Sequence, residues 1–126
     1  IKNMSKKIDA CELDAPAQHS ATVIMLHGLG DSGFGICQFC SALVDMFPDD
    51  YLHVKWVCPN APVRKITVNN NYSMNAWYDV LSFGPNGKQS EKDIEEARQI
   101  IHKCIAQEIE QGTPANRIVL GGFSQG

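Results

Sequence analysis

The strongest constraint in this sequence is the run Arg117-Ile118-Val119-Leu120, followed at once by Gly121-Gly122-Phe123-Ser124-Gln125-Gly126. A short, β-branched apolar run that stops at glycines suits a strand buried on both faces of a sheet. The pattern G-x-S-x-G directly after it suits a sharp turn from strand to helix. There, small residues two before and two after the serine avoid collision, and strain lifts the hydroxyl above the sheet. Ser124 is therefore a candidate catalytic nucleophile. A glycine-rich loop with an incidental serine has the same five letters, and it is the buried strand in front that favours the nucleophile.

Two further strands are expected. Thr22-Val23-Ile24-Met25-Leu26 ends at glycines, and Val54-Lys55-Trp56-Val57-Cys58 is closed by Pro59. Between them Ile36, Phe39, Cys40, Leu43, Val44 and Phe47 recur at three- and four-residue spacing until Pro48, which predicts an amphipathic helix. The asparagine-rich stretch after Pro59, as far as about Gly87, reads mostly as loop. Ser90 with Asp93 resembles a capping box. Ile94, Ala97, Ile101, Ile105 and Ile109 then mark one face of a second helix, which Gly112 and Pro114 end. Its acidic residues Glu91, Asp93, Glu95, Glu96, Glu108 and Glu110 read as a solvated face. Strands alternating with helices predict an α/β fold: a mostly parallel sheet covered on both faces, with functional groups at the carboxyl ends of its strands.

A second glycine-rich turn, His27-Gly28-Leu29-Gly30-Asp31-Ser32-Gly33, stands at such an end. Its G-x-G-x-x-G spacing matches a dinucleotide fingerprint, but that reading also needs an acidic residue about 20 positions on. The next strand ends Val57-Cys58-Pro59-Asn60, without a carboxylate. The competing reading is an oxyanion-hole loop, in which the backbone N–H of Leu29 joins that of Gln125, the residue after the nucleophile.

Bulk properties fit a single globular unit: 44% hydrophobic and 20% charged residues, with a net charge of -3. The basic residues are scattered, so nucleic acid is not an expected partner. No apolar stretch approaches the roughly 20 residues of a membrane span. Residues 1–10 have no apolar core of a signal peptide. The five cysteines (Cys11, Cys37, Cys40, Cys58 and Cys104) are odd in number and lie in apolar segments, which suits free thiols in the cytoplasm. Cys37-x-x-Cys40 has the spacing of a redox or half-zinc motif, but it lies inside the first helix with no second pair, and reads as core packing.

Four segments in order resemble the acyl-protein thioesterase and lysophospholipase-like carboxylesterase family of the α/β-hydrolase superfamily. They are Leu26-His27-Gly28-Leu29-Gly30-Asp31-Ser32-Gly33; Cys58-Pro59-Asn60-Ala61-Pro62-Val63-Arg64 with Ile66-Thr67-Val68-Asn69; Trp77-Tyr78-Asp79 after Met74; and residues 116–126. Asn75-Ala76 departs from the third signature. The resemblance implies the α/β-hydrolase fold, with Ser124 as nucleophile and the amides of Leu29 and Gln125 as oxyanion hole. It implies an enzyme that hydrolyses acyl thioesters and carboxylic esters, acting on acylated proteins or lysolipid-like molecules without cofactor or metal. It also brings Trp77 near the acyl-binding region, where a buried structural role is the alternative.

In α/β-hydrolases the acid and histidine of the triad follow the serine. Residues 1–126 therefore read as the N-terminal part of a single α/β-hydrolase domain, ending at the nucleophile elbow. The acid, the histidine and the C-terminal remainder of the domain are expected outside these residues, and the 126 residues alone are not expected to fold stably. Neither His27, expected to make a structural hydrogen bond, nor His19, His53 or His102 is recruited as base. The alternative from another class is a catalytically silent binding module that keeps the loop and elbow but lacks the base.

Overall fold

A computed structural model describes residues 7–126. The reading of the first six residues lies outside it. The described elements are β1 (Ala10–Leu13), β2 (Ala21–Leu26), α1 (Gly33–Met46), β3 (Val54–Pro59), β4 (Val63–Ile66), β5 (Tyr72–Asn75), α2 (Glu91–Glu110) and β6 (Ile118–Gly122), with three short 3-10 turns. One sheet has the order β1-β3-β2-β6. β2 pairs in parallel with both β3 and β6, and β1 runs antiparallel along β3. The expected α/β class holds.

β3 is buried along its whole length because it lies between strands and beneath both helices. Its alternation sorts the two faces. Val54, Trp56 and Cys58 pack with Ile36, Cys37 and Cys40 of α1, whereas Val57 joins Ile24 and Cys104 on the α2 side. Cys37 and Cys40 are thus core residues. Burial pushes the Cys37 thiol up to about 12 and that of Cys104 up to about 11. All five cysteines are unpaired, and no helix among the described residues is long and apolar enough to cross a membrane.

Both helices start at serine caps: Ser32 Oγ accepts from Gly35 N at 3.0 Å and Ser90 Oγ from Asp93 N at 3.3 Å. The stretch after Pro59 is less irregular than expected, because β4 and β5 form an antiparallel hairpin. Asn70 and Asn71 make its turn at positive φ (52° and 57°), a region asparagine tolerates better than most residues. The acidic face of α2 also needs correction. Glu108 is buried on the sheet side, where its carboxylate accepts from Lys55 Nζ at 2.8 Å and Thr22 Oγ1 at 2.9 Å. Asp93 pairs with Arg64 at 2.9 Å.

Candidate active site

Two turns leave the carboxyl ends of β2 and β6 side by side, because the ladder pairs Leu26 with Gly122. Phe123 N donates to Leu26 O at 3.0 Å, extending that ladder by one bond, and Gly126 N returns to Phe123 O at 3.0 Å to close the second turn. Ser124, between these bonds, has φ +56° and is exposed. A non-glycine residue held in that region stores about 1–3 kcal/mol of strain, which the surrounding structure must impose.

The glycines show how it is imposed. A Cβ on Gly122 would strike the backbone of Gly126, and one on Gly126 would strike the Leu26 carbonyl. Backbone cannot swing aside as a side chain can. Gly126→Ala is therefore expected to destabilise the full-length protein by about 2–3 kcal/mol, as overpacking against fixed atoms does, seen as a lower urea midpoint. Gly28 brings the other turn in: its Cβ would stand 3.2 Å from Ser124 Cβ.

Leu29 follows Gly28 in a turn closed by Asp31 N to Gly28 O at 3.2 Å. Gly30, at φ +79°, donates to Asn75 O at 2.8 Å and so ties this loop to β5. Among the described residues, neither Leu29 N nor Gln125 N donates to a protein acceptor. The structure thus brings Ser124 and the loop holding Leu29 together, and leaves the two candidate donors uncommitted.

His27 is fully buried and both its ring nitrogens are engaged. Nε2 accepts from Ala61 N at 3.0 Å, which leaves the proton on Nδ1 to be donated to Gly28 O at 2.7 Å. It is a structural histidine. His19 and His53 precede β2 and β3, so they lie at the amino end of the sheet, on the order of 20 Å from the turns. His102 is exposed on α2 beside Arg98. Trp77 is 2% exposed, its indole donates to His27 O at 2.9 Å, and its ring lies 5.2 Å from the imidazole. Its role here is to brace the loop.

The residue pattern gave no hint of what the Gln125 side chain does. Its Oε1 accepts from Trp77 N at 2.8 Å and its Nε2 donates to Tyr78 O at 2.7 Å. The 76–79 segment it grips is anchored from behind: Arg64 Nε donates to Ala76 O at 2.8 Å, and Asp79 N donates to the Asp93 carboxylate at 2.9 Å. An apolar groove of about 320 Å³ runs along α2 past Ile94, Ala97 and Ile101 to Gln125 and Gly126.

A family model described as Phospholipase/Carboxylesterase matches residues 12–126. The chain is 41% identical over 123 residues to acyl-protein thioesterase 1 of Schizosaccharomyces pombe, an alignment covering 98% of this chain and 53% of that protein. It is 40% identical over 109 residues to acyl-protein thioesterase 1 homolog 1 of Dictyostelium discoideum, covering 86% and 47%. The crystal structure of Zea mays acyl-protein thioesterase 2 is similar with a TM-score of 0.73 at 25% identity, covering 94% of this chain and 47% of that one. The chain spans about half the length of the curated relatives it matches.

Proposed function

This chain belongs to the phospholipase/carboxylesterase family of α/β-hydrolases, and from that premise we propose that the protein is a serine hydrolase cleaving acyl thioesters or carboxylic esters through an acyl-enzyme on Ser124. The observation that carries this reading is an exposed serine at φ +56° against the Gly28 turn, beside two uncommitted backbone amides.

The chemistry follows from that arrangement. Ser124 Oγ adds to the acyl carbonyl while its proton passes to a general base outside the described residues. The carbonyl oxygen becomes an oxyanion facing Leu29 N–H and Gln125 N–H. Collapse breaks the C–S or C–O bond, the thiol or alcohol leaves with a proton, and water then hydrolyses the ester on Ser124. Thioesters suit the mechanism because thiolate is a good leaving group. Acylated proteins, in keeping with the names of the relatives, or lysolipid-like esters are the substrate class. Unpaired, mostly buried cysteines support a reducing, cytoplasmic setting.

A fluorophosphonate probe is expected to label the full-length protein stoichiometrically, with the phosphonyl group mapping to Ser124 by peptide mass spectrometry. Labelling at another residue overturns the assignment. A protein that neither reacts nor turns over a short-chain acyl thioester above buffer is the silent binding module instead.

A further inference from the structure

We propose that the Gln125 carboxamide is a positioning residue for acyl transfer: by locking onto the backbone of Trp77 and Tyr78, it holds its own main-chain N–H where an oxyanion forms. The proposal rests on the hydrolase reading of Ser124 and adds to it a role for a side chain that the five-residue motif leaves free.

The peptide planes of the turn are fixed in different ways. Phe123 N is held by Leu26 O, and Gly126 N by Phe123 O. The peptide joining Ser124 to Gln125, whose N–H is the candidate donor, makes no hydrogen bond of its own among the described residues. Residue 125 is instead held through its side chain, by one acceptor bond and one donor bond to consecutive residues, at 2.8 and 2.7 Å. A carboxamide presents one acceptor and two donors, so it can satisfy an N–H and a C=O together. Methionine, of similar length, can satisfy neither.

The same segment reaches the other donor. Trp77 Nε1 donates to His27 O, and His27 Nδ1 donates to Gly28 O. Gly28 O belongs to the peptide whose N–H is that of Leu29. In a trans peptide the C=O and N–H point in opposite directions, so tying the carbonyl back to the imidazole turns the Leu29 N–H away from it. One run of hydrogen bonds through Trp77 therefore sets both amides, and Gln125 is its end on the nucleophile side. Preorganised donors stabilise charge as it develops without reorganising during the reaction.

The test uses the full-length protein with a short-chain acyl thioester, and an aliphatic trifluoromethyl ketone, whose adduct with serine carries an oxyanion. Gln125→Met is expected to lower kcat by about 10- to 100-fold with KM within about threefold, and to weaken the ketone by a similar factor. Gln125→Glu keeps an acceptor for Trp77 N but sets its second oxygen against the Tyr78 carbonyl unless it is protonated. Its kcat relative to the native protein is therefore expected to rise as pH falls towards the carboxyl range, while the Gln125→Met ratio stays flat. The proposal is overturned if Gln125→Met retains kcat and ketone affinity within twofold of native. It is also overturned if both variants show equal, pH-independent losses that track a lowered melting temperature, the mark of a purely structural side chain. Native protein that turns over substrate and labels at Ser124 separates failure of this proposal from failure of the hydrolase reading.

Discussion

Ser124→Ala is expected to lower kcat/KM of the full-length protein for a short-chain acyl thioester by about 10⁴- to 10⁶-fold, as loss of a serine nucleophile does in triad hydrolases. Alanine keeps a Cβ and the same φ of +56°, so the turn and its two amides stay in place. The small residual rate is then that of direct attack by water on a carbonyl still polarised by the amides. Ser124→Gly removes the hydroxyl and also the strained Cβ. It should be as inactive as alanine, yet more stable than native by about 1 kcal/mol, because glycine takes positive φ without penalty. Steady-state kinetics together with urea midpoints read both effects. Opposite movement of activity and stability at one position would identify Ser124 as a residue strained for use rather than for folding.

The second large effect lies at the other end of the sheet. Glu108→Ala is expected to cost about 3–5 kcal/mol of stability, because it leaves the Lys55 ammonium buried without its main counter-charge and removes one of the two partners of the Thr22 hydroxyl, the other being His19 Nε2 at 2.9 Å. Gln111, 3.4 Å from Lys55 Nζ, and Glu12, at 3.9 Å, offer weaker replacement partners. Replacing both members, as Lys55→Met with Glu108→Leu, should recover most of the loss, since the pair is costly to break but not to exchange for well-packed apolar groups. Denaturation of the full-length protein should show a shifted midpoint with an unchanged slope. Turnover per folded molecule should not change, because Thr22 and Lys55 sit at the amino ends of their strands.

What could be read from the sequence follows the length and burial of each segment. The three parallel strands and both helices announce themselves, because each strand carries a run of consecutive apolar or β-branched residues and each helix repeats its apolar residues over several turns. Of these strands β3 is buried throughout and β2 in part, whereas β6, expected to be buried, is largely exposed where it forms the edge of the described sheet. β1 and the β4–β5 hairpin do not, since each of their strands has only four residues and they are partly exposed. Asn70-Asn71 between two short mixed runs was the available hairpin signal, hidden within a stretch whose asparagines suggested loop. Glu108 was misplaced because an acidic residue on a helix is ordinarily solvated. Its partner Lys55, near the start of an otherwise apolar strand, is the sign that a counter-charge has to be buried too. At the site, a serine between glycines was legible from steric need alone. The Gln125 clamp was not, because it depends on where the 76–79 segment passes, and that segment is placed by contacts with Arg64 and Asp93.

The pairing of β2 with β6 has a consequence for how such a site comes into being. Its two turns flank strands separated by nearly the whole described chain, so no local stretch can assemble them, and closure of that long loop must come first. During synthesis the loop after β2 and the hairpin that braces it emerge well before the serine. The Ser124 hydroxyl gains its place beside the Gly28 turn only once β6 pairs with β2, so a polypeptide still lacking β6 lacks that juxtaposition.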